Sequence, residues 1–433
     1  MLDIGKVYEP PSSARYASPR RTGQYLPIVY GDMTVNADKG AWEAPCIDTA
    51  SFIYAVAGSA VLSVGNGNSV SVYDKDEVLI SPANYTFDES NNVESKGAIA
   101  TITFTTSYYD SEPLLVKCMG RDSGGALITS PPAIIEDFIV NVLNESQNEI
   151  HAQSFAEVTR HCSTEGYVAG GIIAGQKRIG DVFSDIMGSF LGYWKVDSPT
   201  NRILLSLELG LSNYFESDIA AIIREHEMKD ASLEMEDSDL CNQVSAKWGY
   251  NYYRREFEAA DDGEDSANSY SQNIYGDTIR TFEWKWVRSN TVAATLQSRI
   301  VSEYGLPAKV ISIPDLGFDR VAIETRDIVL FSVKHLYGDN LSPLYNQFGR
   351  VVGVRGDLNG RRIQLSIKDT GYYKTRAYLA DGGGDDGESL VAKDGQFFET
   401  LSGDPIITLA AGGSARLADG TYLAGGERDL RTY

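Results

Sequence analysis

Between about Val244 and Asp369 the sequence changes its periodicity several times in a set order, and that order restricts the fold more than any other stretch. An aromatic strand signal (Trp248-Gly-Tyr-Asn-Tyr-Tyr253) precedes an acidic loop (Asp261-Asp-Gly-Glu-Asp-Ser266) and a Ser-Tyr-Ser…Tyr-Gly-Asp element from Ser269 to Asp277. A helix opens near Ser289: Val292, Leu296, Ile300 and Tyr304 form an apolar stripe, Gly305 stands at the expected cap, and Pro307 prevents continuation. Strand signals follow around Ile311, at Val321 and Ile323, at Ile328-Val-Leu-Phe-Ser-Val333, and around Val351 and Ile363. The last of them, Arg361 to Asp369, alternates Ile363, Leu365 and Ile367 with Arg362, Gln364, Ser366 and Lys368. Such a run has one buried and one wet face, as in a barrel or a half-covered antiparallel sheet. No nucleophile, base and electrophile are grouped along it, so it reads as a scaffold.

Upstream the pattern is different. Residues 1 to about 22 are rich in Pro, Ser and Arg and read as an extended arm. From Tyr25 to about Met119 the signals are β. Ala98-Ile-Ala-Thr-Ile-Thr-Phe-Thr places Ala100, Ile102 and Phe104 on one face, and Gly65-Asn-Gly-Asn68 reads as a tight turn between two apolar runs. At Gly120 the periodicity becomes helical. Ser130-Pro-Pro sets a helix start, because proline is tolerated where the first amides lack partners anyway. Ile134, Ile135, Phe138, Ile139, Val142 and Leu143 then recur at helical spacing. Ser154-x-x-Glu157 reads as a capping box opening a second helix. Ile179, Val182, Phe183, Ile186, Met187, Phe190 and Leu191 mark a third, ending near Gly192, and a strand from Arg202 to Leu209 closes the region. The charged stretch Glu216–Asp239 reads as a solvated helix and loop, with a negatively charged docking surface as the alternative. Beyond Ala380 glycine and aspartate dominate. Asp381-Gly-Gly-Gly-Asp-Asp-Gly387 reads as a hinge, and Tyr378-Leu-Ala-Asp-Gly-Gly and Tyr422-Leu-Ala-Gly-Gly suggest a weak repeat of small hairpins.

Composition narrows the function classes. A chain of 433 residues has room for two to four domains of roughly 100–200 residues each. Its net charge is −22, from 60 acidic against 38 basic residues, which disfavours a phosphate-binding surface and direct nucleic-acid recognition. The one compact basic patch, Arg15 to Arg21, holds three arginines and reads as part of the arm. No stretch approaches the ~18 uncharged apolar residues of a membrane span. Met1-Leu-Asp-Ile-Gly-Lys lacks the basic start and apolar core of a secretory signal. Cys46, Cys118, Cys162 and Cys241 lie far apart, form no Cys-x-x-Cys pair, and read as buried free thiols in a reducing compartment.

Tests for chemistry return little. Asp261-Asp-Gly-Glu-Asp and Asp381-Gly-Gly-Gly-Asp-Asp-Gly-Glu are dense in oxygen ligands, but neither has the alternation of a calcium loop. Gly166-Tyr-Val-Ala-Gly-Gly171 lacks the ending of a phosphate loop and reads as a tight turn between strands. No Gly-x-Ser-x-Gly or His-Glu-x-x-His occurs, and His226 between Glu225 and Glu227 forms no ligand cluster. Paired carboxylates for glycoside cleavage arise by chance among 60 acidic residues and so carry little weight. Tyrosines number 25, with clusters at Tyr108-Tyr109, Tyr250 to Tyr253 and Tyr372-Tyr373 that suit either sugar stacking or, the preferred reading, burial at subunit contacts. The sequence designates no catalytic, cofactor-binding or metal-binding residue, and no cofactor.

The order of these elements resembles the tail-tip (baseplate) hub proteins of long-tailed bacteriophages and gene-transfer-agent particles. The likeness is carried by Leu26-Pro-Ile-Val-Tyr-Gly-Asp32, by Gly120-Arg-Asp-Ser-Gly-Gly leading into Pro-Pro-x-Ile-Ile-x-x-Phe, and by Ser154-Phe-Ala-Glu before a Gly-Tyr turn. The aromatic strand, the acidic loop, the Ser-Tyr-Ser…Tyr-Gly element, the helix ending Tyr304-Gly-Leu-Pro and the strand Ile-Gln-Leu-Ser-Ile-Lys-Asp369 continue it. It covers roughly residues 120 to 370 well, 25 to 119 loosely, and the C-terminus not at all. The resemblance implies a homotrimer closing the distal end of the tail tube, located in the virion and assembled in the host bacterial cytoplasm. Its implied neighbours are the distal tail protein ring, the tape-measure protein and tail fibre or receptor-binding proteins, with no catalytic activity. The expected class is α+β, β-rich and multidomain, with β-barrel-like hub domains and an intervening small α+β domain. The expected division is an arm (1–24), a β-domain (25–119), a small α+β domain (120–212), an acidic linker or insertion with the aromatic strand and helix (213–300), a β-barrel-like domain (301–378) and a Gly/Asp-rich appendage (379–433). A tail-associated glycan-binding or glycan-hydrolysing protein is the alternative.

Overall fold

The computed structural model describes residues 7–8, 26–35, 41–93, 97–106, 114–175, 177–197, 200–208, 219–227, 230–317, 320–337, 343–357, 362–373, 406–407 and 416–417. The class is α+β and β-rich, with several separate sheets and no closed barrel among the described residues. The chain forms two compact units, one of Met1–Gly210 with Asp239–Leu306 and the other of Leu211–Ser238 with Pro307–Tyr433.

The first unit is assembled from small sheets. A four-stranded antiparallel sheet runs in the order Cys46–Asp48, Ile53–Ala57, Gly97–Phe104, Tyr85–Val93, and a three-stranded one in the order Trp42–Ala44, Leu114–Lys117, Ser71–Tyr73. The predicted face of Ala100, Ile102 and Phe104 is buried with Trp42, Tyr54, Val72 and Val116 in one cluster. The Trp42 indole donates to the Val56 carbonyl at 2.8 Å, so this ring is buried with its polar edge satisfied. The Gly65–Asn68 reading needs correction. Gly67 does take a left-handed turn, but the segments on either side do not pair with each other; Ser71–Tyr73 pairs with Leu114–Lys117. Asn68 is buried and acts as a clamp, donating to Leu62 O and accepting from Met119 N.

Helix α1 (Pro131–Asp137) starts after Ser130 as predicted and runs on through a π-turn, Phe138–Val142, closed by Leu143 N donating to Phe138 O at 2.9 Å. Helix α2 (Ala152–Thr164) begins earlier than the capping-box reading placed it. His151 is the cap, accepting from Ser154 N, while the Ser154 hydroxyl turns back to His151 O. Helix α3 (Ile179–Gly188) buries Ile179, Val182, Phe183, Ile186 and Met187 but ends before Phe190 and Leu191, of which only Phe190 is buried, and the strand after it, Gly192–Val196, pairs with Ile203–Leu207. The glycines at 166–171 join α2 to the strand Gly171–Ile173, so the predicted strand-to-strand turn is a helix-to-strand link. A further three-stranded sheet runs in the order Glu256–Asp261, Gln243–Asn251, Ile279–Trp284. Helix α4 (Ser269–Tyr275) connects its second and third members in sequence, and helix α5 (Asn290–Tyr304) buries Val292, Leu296 and Ile300.

The second unit contains a six-stranded sheet in the order Ile219–Ile223, Ile328–Tyr337, Pro343–Asp357, Arg362–Tyr373, Ala308–Gly317, Ser232–Glu236. The charged stretch read as a solvated helix and loop therefore supplies both edge strands. Val321, read as strand, lies in a turn that leads to Ile323. Following the pairings across the sheet, the two edge strands run in the same sense. The link between them holds the 3-10 turn Glu225–Glu227. Residues of both edges share one core, so the sheet is rolled. Ile223, Ala231 and Leu233 from its two edges enter one core with Ile311, Ile313, Phe331, Val351 and Leu365, and Arg320 pairs with Glu227 of the link at 2.6 Å.

Of the arm, Val7–Tyr8 is a short strand paired antiparallel with Lys177–Arg178. The basic patch Arg15 to Arg21, Tyr108-Tyr109, the hinge at 381–387 and the repeat Tyr378/Tyr422 lie outside the described residues.

Candidate interaction surface

Helix α4 has seven residues, far too few to hold together by backbone bonds alone. It is held from below by one fully buried side chain, Asn242. The Asn242 amide donates to Gly276 O (2.7 Å) and to Ser271 Oγ (3.3 Å), and its Oδ1 accepts from Thr278 N (2.8 Å). Its backbone carbonyl accepts from Asn268 N (2.9 Å), and Asn268 in turn caps the helix by accepting from Ser271 N (3.0 Å). Gln272 donates to Gln243 Oε1 at 3.1 Å, and Gln243 donates to Asp262 O at 3.0 Å. Every one of these contacts is polar.

The apolar side chains of α4 point the other way. Tyr270 is 66% exposed, Ile274 53% and Tyr275 46%, with Ile279 at the head of the next strand 53% exposed. Tyr270 and Ile274 stand four apart and share a face. An ordinary surface helix buries its apolar stripe and wets its polar one. Here the order is inverted, and a rigid hydrogen-bond network fixes the inversion.

Five exposed carboxylates lie just before and after this face in sequence: Asp261, Asp262, Glu264, Asp265 and Asp277. None of them is ion-paired among the described residues. Asp261 accepts from Gly263 N and Asp262 from Glu264 N, which shapes the turn and leaves their charge in place. Gly263 is required there, since its φ is +73° and a Cβ would stand 2.0 Å from Val244 O. The strand Ile279–Trp284 is an outer strand of its sheet, paired in parallel with Gln243–Asn251 on one side. The sequence marks the acidic loop and the Ser-Tyr-Ser element. It does not show which face of α4 turns inward, because that depends on Asn242.

The aromatic cluster does different work. The Tyr252 hydroxyl accepts from Ile172 N at 3.0 Å, and Tyr252 packs on the core containing Trp42 and Tyr54. Tyr250 meets Tyr252 and Phe257 edge-on, with centroids 5.1 and 5.0 Å apart, and Lys285 stands 5.5 Å from the Tyr250 ring centre. Burial pushes the Tyr252 phenol up to about 12, so it holds its proton at neutral pH. Tyr250 and Tyr252 are joints within the unit, where the sequence reading had preferred subunit contacts. Tyr372 and Tyr373 end the strand Arg362–Tyr373.

All four cysteines are buried and unpaired. Burial raises the Cys46 thiol to about 11 and the Cys162 thiol to about 12, and also raises Cys118 and Cys241. Because only the thiolate attacks, native protein at pH 8 should leave a disulfide reagent unconsumed while urea-unfolded protein consumes four equivalents. Rapid reaction of one native thiol would contradict this burial. Among the described residues no three His, Cys, Asp or Glu side chains converge in a metal-holding group.

No protein-family model matches the chain, and no curated protein matches it. Among solved structures, similarity is found to prophage tail protein gp18 from Listeria monocytogenes EGD-e, at 10% identity and a TM-score of 0.27, covering 69% of this chain and 87% of that one. The prophage MuSo2 43 kDa tail protein from Shewanella oneidensis is similar at 7% identity and a TM-score of 0.29, covering 80% and 94%. Superpositions this loose do not establish a common fold.

Proposed function

We propose that the protein is a structural, non-catalytic component of a bacteriophage tail, acting at the tail tip as a trimeric baseplate hub. In this role it closes the distal tube and links it to the distal tail ring, the tape-measure protein and the receptor-binding proteins. The observation that carries the reading is the inverted face of α4. It is a rigid apolar surface with acidic flanks, on a β-rich frame whose buried tyrosines and thiols serve packing. Such a face is costly to leave in water, and large exposed apolar patches mark contact sites. The element order that resembles the hub proteins is also realised at the helices Pro131–Asp137, Ile179–Gly188 and Asn290–Tyr304 and at the strand Arg362–Tyr373.

Native mass spectrometry is expected to give three times the 47.4 kDa chain mass, and labelled antibody is expected to decorate the tip of purified tails. A chain that stays monomeric and is missing from purified tails would overturn the proposal.

A further inference from the structure

We propose that the exposed face of α4 and the adjoining strand edge bind an extended, basic and apolar segment of a different protein. The inference names the partner chemistry of an assembly component and rests on that reading for its biological setting, though not for its physics.

Three observations point to this occupant. Tyr270, Ile274, Tyr275 and Ile279 are exposed while Ser271, Gln272 and Asn242 hold the helix from its inner side, so the apolar side chains cannot turn inward without breaking that network. The strand Ile279–Trp284 lies at the edge of its sheet, and its Ile279, Thr281 and Glu283 side chains are exposed. A sheet edge beside apolar positions is the setting for strand addition, in which backbone bonds hold the segment and alternate side chains select it. Asp277 lies between α4 and the strand Ile279–Trp284, and Asp261, Asp262, Glu264 and Asp265 lie in the loop that leads into α4, all exposed and without an ion pair among the described residues, so the segments bounding the face are negatively charged. Their complement is Lys or Arg flanking the apolar side chains of the incoming strand. A second copy of this chain fits poorly, because its net charge of −22 would set like charges against this rim.

The test uses the full chain and a fluorescent synthetic peptide of about twelve residues in which Ile and Lys alternate, a length suited to strand addition. Anisotropy should show binding that weakens as salt is raised. Binding should fall at least tenfold in Tyr270→Ser/Ile274→Ser and in Asp265→Asn/Asp277→Asn, with far-ultraviolet spectra unchanged. A peptide with Glu in place of Lys should not bind, and one N-methylated at alternate residues should lose most of its affinity. Equal affinity for wild type and both double variants would overturn the proposal. Equal binding of the N-methylated peptide would overturn strand addition. Sedimentation showing self-association that Tyr270→Ser/Ile274→Ser abolishes would overturn it too, by making a second copy the occupant. Absence of the chain from tails would defeat the proposed function and leave peptide binding intact, so the two failures are distinguishable.

Discussion

Asp137→Ala is expected to destabilise the first unit by about 3–5 kcal/mol, the range for removing one partner of a buried ion pair. Asp137 is buried at the C-terminal end of α1 and serves three elements at once. Arg121 donates to it twice, Nε to Oδ2 at 2.7 Å and Nη2 to Oδ1 at 3.2 Å. The Tyr30 hydroxyl donates at 2.7 Å from the strand Ile28–Tyr30, and Asn141 donates at 2.8 Å from the π-turn. With alanine there, the Arg121 guanidinium and the buried Tyr30 hydroxyl lose the carboxylate to which both donate, and the buried hydroxyl bears the larger share of that loss. All five tryptophans (Trp42, Trp194, Trp248, Trp284 and Trp286) lie in the first unit, so urea unfolding followed by Trp fluorescence reports on that unit alone. Adding Arg121→Met should recover part of the loss, because the stranded charge is then gone. A loss below about 1 kcal/mol would mean that the pair behaves as a surface one.

Gly31→Ala is the second large effect, expected at about 2–5 kcal/mol. Gly31 has φ +71°, where a side chain costs about 1–2 kcal/mol. Its Cβ would also stand 2.1 Å from Ala169 O and 2.6 Å from Gly170 Cα. Both atoms are backbone. Ala169 N is bonded to Thr129 O at 2.8 Å and Gly170 N to Trp286 O at 3.0 Å, so retreat breaks those bonds, and overpacking adds about 1–3 kcal/mol. Gly124 is the control, with φ +60° and open space around its Cβ position. Gly124→Ala should show the backbone strain alone, at ~1–2 kcal/mol. If the two variants melt together, the close approach at Gly31 is not what the sequence protects.

The legible parts of the fold are those whose side-chain period repeats over several turns or several strand residues. Ile179 to Met187 and Val292 to Ile300 announce helices because one stripe must be buried, and Ile363, Leu365 and Ile367 announce a strand for the same reason. The edge strands Ile219–Ile223 and Ser232–Glu236 were illegible. An edge strand buries little, and Glu234 and Glu236 on an exposed edge guard it against stray pairing while looking like loop. The start of α2 was misplaced because the capping box is a local pattern. The cap belongs to His151, and the Ser154 hydroxyl accepts from Leu205 N, a residue 51 positions away.

The sequence alone determined the α+β, β-rich class, the positions of α1, α3 and α5, the burial of the four cysteines and the acidic character of the surface, because each follows from composition or from a period within one segment. Only the tertiary structure decided which face of α4 is outward. A helical wheel of Ser269–Tyr275 shows two faces without ranking them. Asn242, distant in sequence and wholly buried, draws the polar face inward and leaves Tyr270 and Ile274 in water.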